Sequence, residues 1–464
     1  MDRAGQMIDQ AHKILSGKPI DGYEIYCNQS SHFDVESKNG KIETLQTSWY
    51  LGMAFRILDR QRIGFSYATF STPSPSTGEN FSSEMDRMVE DAIHSARTIS
   101  KDPCFDFAPA LKVPPLNLLI FDGTLEKISE KTKIERAKCL EESTRSVDSE
   151  RIKKVRKASY QEVISRTTLV NSNGLRFSYD HTLTSVSVTA VAEESGESEV
   201  GWDFDVSHFF NDLDVEKAGR SAGRKALERL GGKRILSGVY PVILRNEVAS
   251  EFLSLLAHSF LADQIQKGKS PLKGKQGERF FSPLLTIMDD GTYPKGISAS
   301  PIDGEGMPSQ KTSLVIQGEI TGYLYDRYWA NRENLSPSKS GIRSTGNGRR
   351  HGIKSPPGVG ISNFFVERGD QPFHRLMENL FTGVVVEEVM GLHTVDPISG
   401  DFSLGCSGDW IDKGEKIHPV KSIAIAGNLF ELFGRVIGVG EDLRFFGGVG
   451  SPSLLIKELV ISGN

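Results

Sequence analysis

The sequence predicts an α+β protein, and three observations carry that expectation. Helix-like and strand-like stretches are segregated, with no regular βαβ alternation. Two Asn-Gly dipeptides, Asn39-Gly40 and Asn173-Gly174, interrupt alternating apolar and polar runs and read as tight turns. The 46 glycines of the chain gather towards its second half, where short strand-like runs follow glycine-rich turns. The expected organisation is an N-terminal helix/β-meander domain over 1–232, itself breaking near 101–117. A β-rich, barrel- or sandwich-like C-terminal domain follows over 233–464.

Taken in order, Met7 to Leu15 reads as a short helix and "GKPIDG" as a turn. Strands run from Tyr23 to Ala68, broken at Asn39-Gly40 and again at "DRQ", which makes a β-meander. The loop "STPSPSTGENFSS" leads into a helix over Glu84–Ser100, with Met85, Met88, Val89 and Ile93 as its apolar stripe. After the extended crossing "KDPCFDFAPALKVPPLN", a charged helix is expected from Leu125 to about Ser146. Strands return through "SVSVTAV", whose alternation implies one solvated face. Asp214 is placed to cap the next helix and Gly231-Gly232 to end it. Helix–meander–helix thus occurs twice, as a loose similarity. Beyond residue 233 come a helix within "RNEVASEFLSLLAHSF", a series of short strands, and one helical segment at about His374 to Asn379.

Bulk properties narrow the function. The 464 residues carry a formal net charge of -5, which argues against a polyanion-binding surface and makes nucleic acid an unlikely partner. No apolar run approaches the ~18 residues that span a bilayer, and the N-terminus lacks a secretory h-region. Cys27, Cys104, Cys139 and Cys406 form no CxxC pair, so reduced thiols in the cytoplasm are expected.

Three stretches offer chemistry. On the "RNEVASEFLSLLAHSF" helix, Glu247, Glu251 and His258 fall within about 40° of one another around the axis. They form either a solvated acidic stripe or half of a metal site; zinc hydrolases ordinarily use two imidazoles, and this helix has one. "GNGRRHG", with Arg349, Arg350 and His351, reads as a mobile basic loop or as a wrap around a phosphate or peptide. In "GLHTVDPISGDFS", His393 and Asp396 form either a structural hairpin or an acid–base pair, and no nucleophile elbow accompanies them.

Several stretches together resemble the TldD/PmbA (TldE) peptidases, also known as modulators of DNA gyrase. They are "LVNSNGLRFS", "LGGKRILSGVYPVIL", "GKSPLKGKQGERFFSPLLTIMDDGT", "GLHTVDPISGDFSLGCSGDWIDKGE" and "GVGSPSLLI", with an N-terminal match from Asp21 to Ile57. The resemblance implies that one kind of chain binds zinc through an HExxxH helix and a later cysteine, with the motif's glutamate as general base. In the matching register "NEVASE" stands at that helix. Asn246 and Glu251 occupy the histidine positions, Glu247 keeps its type, and Glu441 to Ile456 contains no cysteine.

The resemblance therefore implies a PmbA/TldE-like chain without catalytic residues or a bound metal of its own. It also implies a TldD-like, zinc-holding catalytic partner, a substrate of unfolded or leader peptides, and a homodimer when the chain is alone. Arg349, Arg350, His351 and His393 are the candidate cleft residues, near an extended segment at Gly358–Glu367 that a peptide would join by strand addition. Two alternatives remain: a stand-alone metallopeptidase using Glu247, Glu251 and His258, and a non-enzymatic regulator of gyrase or of toxin–antitoxin systems.

Overall fold

The computed structural model describes residues 3–70, 78–110, 116–337 and 339–463. Most of the serine- and proline-rich loop and part of the expected break near 101–117 lie outside the described residues.

The first half builds one six-stranded antiparallel sheet from two copies of a helix–meander–helix unit. The first unit is α1 (Arg3–Ser16), β1 (Gly22–Lys38), β2 (Lys41–Asp59), β3 (Arg62–Phe70) and α2 (Gly78–Thr98). The second is α3 (Glu130–Arg145), β4 (Ile152–Asn171), β5 (Arg176–Glu194), β6 (Glu197–Ser207) and α4 (Val215–Glu228). The strand order is β3-β2-β1-β4-β5-β6, so the two meanders join through β1 and β4. Each unit keeps its own apolar core. Ile25, Met53, Phe55 and Val89 pack in the first, and Tyr160, Val188, Leu140 and Ala222 in the second.

One device recurs in both units. At Gly64 on β3 an added Cβ would lie 1.9 Å from the backbone oxygen of Ala92 in α2. At Gly201 on β6 it would lie 2.2 Å from the oxygen of Ala222 in α4. Each glycine sits on an edge strand and lets the following helix lie directly on the sheet. The Asn39-Gly40 turn forms as expected, with both residues at positive φ (53° and 71°). Asp214 accepts the Lys217 N–H at 3.1 Å and caps α4.

In the second half β7 (Gly238–Leu244) runs into α5 (Asn246–Ala257) and α6 (Ala262–Gln266). Short strands follow: β8 (Ile287–Asp290), β9 (Lys311–Ile316), β10 (Glu319–Ile320), β11 (Gly348–Arg349), β12 (Gly358–Val359) and β13 (Phe364–Val366). Helix α7 (Arg327–Glu333) lies among them, and α8 (Phe373–Leu380) precedes β14 (Gly383–Met390), β15 (Asp401–Asp412) and β16 (Glu415–Asn428). The chain ends with α9 (Leu429–Gly434), β17 (Val436–Val439), β18 (Arg444–Phe446), β19 (Val449–Ser451) and β20 (Leu454–Ser462).

Strands β7, β14, β15, β16 and β20 close into a five-stranded barrel, because β16 pairs with β20 as well as with β15. A second sheet, ordered β10-β9-β8-β13-β19-β18, lies beside it. Helix α5 is buried between the two through Val248, Phe252, Leu253 and Leu256, with Phe252 against Phe402 at 5.0 Å between ring centroids.

Three expectations change. The charged stretch from Leu125 to Ser146 is not one helix. A single 3-10 turn at Leu125–Lys127 is followed by extended Ile128 and Ser129, and Ser129 accepts the Thr132 N–H to start α3 afresh. The second half holds α6, α7 and α9 besides the expected helix at α8. They have five to seven residues, too few for periodicity to reveal, and Asp326 and Asn428 cap two of them. Strands β6, β7 and β14 were not foreseen. Two of them, β7 and β14, are apolar runs without clean alternation, buried at the end of β7 and the start of β14, and the third follows the tight Ser195-Gly196 turn, whose residues both have positive φ.

Candidate functional site

Helix α5 begins where β7 leaves the barrel, and its first turn is tied down by side chains from the far end of the chain. Arg245 precedes it in extended conformation, stacks over Phe373 at 4.0 Å and reaches Glu387 (3.5 Å) and Asp442 (3.6 Å). Asn246 donates its amide to the Asp442 carbonyl at 3.1 Å. The Asp442 carboxylate in turn accepts from the Ser453 N–H (2.8 Å) and hydroxyl (2.7 Å).

One turn on, Glu247 and Glu251 face a cavity of about 280 Å³ between α5, β14 and the free edge of β6. Its walls carry five carboxylates, Glu199, Glu247, Glu251, Glu387 and Glu388, and two cations, Lys225 and Arg229. Trp202 forms an aromatic side of the opening. Lys225 pairs with Glu247 at 3.0 Å and Arg229 with Glu388 at 3.1 Å. From outside the cavity, Lys421 reaches Glu199 at 3.2 Å. Among the described residues Glu251 has no ion pair. Burial, then the charges of Glu247 and Glu388, push its carboxyl up to about 7. Burial also raises Glu199 and Glu387, the latter opposed by Arg245.

The sequence-derived candidates scatter around this picture. Glu247 and Glu251 line the cavity together, as helical spacing implies. His258 does not join them: α5 ends at Ala257, and His258 is the exposed C-cap. Among the described residues no group of three or more His, Cys, Asp and Glu is arranged to hold a metal ion. The zinc set implied by the resemblance is two imidazoles and a thiolate. The two imidazole positions hold the Asn246 amide and the Glu251 carboxyl, and the 441–456 stretch has no cysteine, so the donor set does not match. Cys406 is buried on β15, and burial pushes its thiol up to about 12.

Arg349, Arg350, His351 and His393 lie away from the cavity. Arg350 is no free surface cation. Its side chain is 3% exposed, pairs with Glu24 on β1, donates to the Gly304 carbonyl at 2.7 Å and lies over Tyr26 at 4.4 Å. Glu24 also takes a two-pronged bond from Arg56 (2.8 and 2.7 Å), and Arg56 reaches Glu305 at 3.5 Å. This buried network joins the first sheet to the 303–350 region. Arg349 sits in the two-residue ladder between β11 and β12; its Nη1 reaches the Ser298 carbonyl at 3.5 Å, and among the described residues its Nε and Nη2 have no hydrogen-bond partner. His351 is exposed beyond that ladder. His393 is exposed in a turn where Asp396 accepts the backbone N–H groups of Ile398 and Ser399, a structural hairpin.

With this geometry in hand, comparison with known proteins places the chain. Sequence profiles of PmbA/TldA metallopeptidase domain 1, central domain and C-terminal domain match residues 23–96, 123–230 and 237–463. The chain belongs to the PmbA/TldD metallopeptidase family. Within that family it is PmbA/TldE-like. It is 27% identical to the metalloprotease PmbA of Escherichia coli O157:H7 over 463 residues, spanning 99% of this chain and 96% of that one. A metalloprotease of Methanothermobacter thermautotrophicus is 30% identical over 326 residues, 66% of this chain and 69% of the relative. A Thermotoga maritima crystal structure described as a candidate modulator of a DNA gyrase superposes with TM-score 0.85 at 26% identity, covering 99% of this chain and all of that one. TldE from Thermococcus kodakarensis shares the fold with TM-score 0.84 at 21% identity.

The sequence did not single out Trp202, Lys225, Arg229, Glu387, Glu388 or Asp442. Only "VVVEEV", an apolar run ending in paired glutamates, carried a local signal.

Proposed function

We propose that this PmbA/TldE-like chain is the non-catalytic subunit of a two-chain metallopeptidase acting on unfolded or leader peptides. Its TldD-like partner supplies the zinc and the general base. The observation that carries this reading is the Asn246–Asp442 bond. Where the family resemblance puts an imidazole, this chain has an amide bonded to a backbone carbonyl, and Glu247 is engaged by Lys225. A base already paired to a lysine at 3.0 Å is poorly suited to take a proton from water.

No helix among the described residues is long and apolar enough to cross a membrane, in keeping with a cytoplasmic place of action. The chain self-pairs when no partner is present, closed two-fold pairing being the common solution for soluble oligomers. Arg349, His351 and His393 remain the cleft candidates to test, whereas Arg350 serves the buried network. The deciding experiment mixes the chain with a TldD-like chain and follows hydrolysis of an unstructured peptide. Turnover by the mixture and by neither chain alone supports the proposal. Undiminished turnover by the TldD-like chain alone overturns it.

A further inference from the structure

Strand β6 is the free edge of the first sheet, and part of the backbone it turns outward is already capped by side chains. Arg229 donates to the Val200 carbonyl at 2.6 Å, and Arg444 donates to the Phe204 carbonyl at 2.7 Å. The Phe204 N–H is taken by the Asp203 carboxylate at 2.8 Å. The β5–β6 register runs without a shift from Thr184↔Ser207 to Glu194↔Glu197. Alternation along an antiparallel pair therefore turns the N–H and C=O of Trp202 away from β5, as it turns the carbonyls of Val200 and Phe204. Neither Trp202 group has a partner among the described residues.

Trp202, 41% exposed, and Glu251, without an ion pair among the described residues, line the same cavity. The indole is held in place by stacking on Phe204 at 5.1 Å, and Phe204 packs on Phe446 at 5.7 Å. The remaining carboxylates of the cavity have cations at hand, so the local excess of negative charge falls on Glu251.

We propose that this cavity binds a lysine or arginine side chain of an extended peptide, whose backbone bridges to Trp202 and whose cation lies between the Trp202 face and Glu251. Charge complementarity selects the occupant: a carboxylate-rich hollow with one uncompensated acid and an aromatic wall favours a cation. A single β-bridge supplies backbone contact without reading sequence. The site is a property of this chain alone, independent of any catalytic partner.

The test uses the purified full chain at neutral pH and low salt. Two fluorescein-labelled peptides are compared by anisotropy, Thr-Val-Lys-Val-Thr and the same peptide with Gln replacing Lys. The lysine peptide should bind about tenfold tighter, equivalent to ~1.4 kcal/mol. Glu251→Gln should erase that preference while leaving the fold intact, since Gln keeps the shape of Glu. Trp202→Pro removes the outward N–H at an edge position where proline is tolerated. It should weaken both peptides with the melting temperature retained, and Trp202→Phe, which keeps the backbone bridge, should weaken them less. Equal binding of the two peptides, or a lysine preference that survives Glu251→Gln, overturns the proposal. So does a Trp202→Phe loss as large as that of Trp202→Pro, because the backbone bridge would then contribute nothing.

Discussion

Asn246 and Asp442 are 196 residues apart in sequence and 3.1 Å apart across the first turn of α5, where the asparagine amide donates to the aspartate carbonyl. The contact joins the start of the helix to the segment that leads into β18 and β19. In a zinc-holding relative, the resemblance puts a histidine ligand at the Asn246 position. Here a neutral amide bonded to a backbone carbonyl does the joining, while the Asp442 carboxylate is held by Ser453. The barrel, the second sheet and α5 are thus held together by hydrogen bonds that need no ion.

Glu251 makes the cavity sensitive to pH. Its carboxyl is raised from the ordinary value to about 7, so the folded chain holds that proton more tightly than the unfolded chain does. Stability from this group is therefore lost as pH rises from the unfolded value of ~4.3 towards about 7. Glu251→Gln cannot ionise and escapes that loss. Melting curves should place it above the parent at mildly alkaline pH and level with it in mild acid. A variant that melts lower at both would show that Glu251 makes a stabilising contact instead.

Arg350 holds the two halves together. Removing it takes one of two cations from buried Glu24 but leaves the two-pronged Arg56 bond, so the loss should fall below the ~3–5 kcal/mol of a buried charge stripped of its partner. Arg350→Ala should lower the urea midpoint more than Arg349→Ala, whose side-chain hydrogen bond among the described residues is the long 3.5 Å one to the Ser298 carbonyl and which otherwise acts on buried Asp289 through charge. Equal losses would remove the distinction drawn between these neighbours.

Asp303 and Asp326 belong to the same buried seam, and burial followed by the charge of Glu305 pushes both carboxyls well above the usual carboxylate range. Their protons are held more tightly when folded, so stability falls as pH climbs from the ordinary carboxylate value through these raised ones. Asp326 also caps α7 by accepting the Trp329 N–H at 2.8 Å, and asparagine can keep that cap. Asp326→Asn should thus resist alkaline unfolding better than the parent, read as a smaller drop in urea midpoint between mildly acid and alkaline buffers. An unchanged drop would contradict the assignment.

The paired glycines give a purely steric prediction. Gly201→Ala drives a methyl group into the α4 backbone at 2.2 Å, and Gly64→Ala does the same to α2 at 1.9 Å. Neither contact can be relieved by rotating a side chain, and overpacking of this kind costs about 1–3 kcal/mol. Gly123→Ala, whose nearest neighbour would be the Phe121 ring at 3.6 Å, is the control and should be neutral in the same denaturation assay.

What the sequence made legible was local. The Asn39-Gly40 turn, the Asp214 cap and the apolar face of α5 each depend on residues within a few positions of one another, where propensity and periodicity act. The doubled helix–meander–helix unit was visible for the same reason. The surroundings of Glu251 were not, because Trp202 comes from β6 and Glu387 and Glu388 from β14, and neither was the Asn246 contact to Asp442 in the segment before β18. Only the closing of the barrel and the packing of α4 bring them together. Arg350 misled for a related reason: glycine-rich basic character looks like a solvated loop, and nothing near it in sequence announces Glu24 as its buried partner.

The central claim is that this chain has lost the metal chemistry of its family, and metal analysis of the isolated chain tests it most directly. After purification in zinc-supplemented buffer and removal of loosely held ions, the chain should carry substoichiometric zinc and leave an unstructured peptide intact. A TldD-like chain handled identically should retain its zinc and cleave once the two are combined. Stoichiometric zinc in the isolated chain, with chelator-sensitive hydrolysis that Glu247→Gln abolishes, would contradict the account.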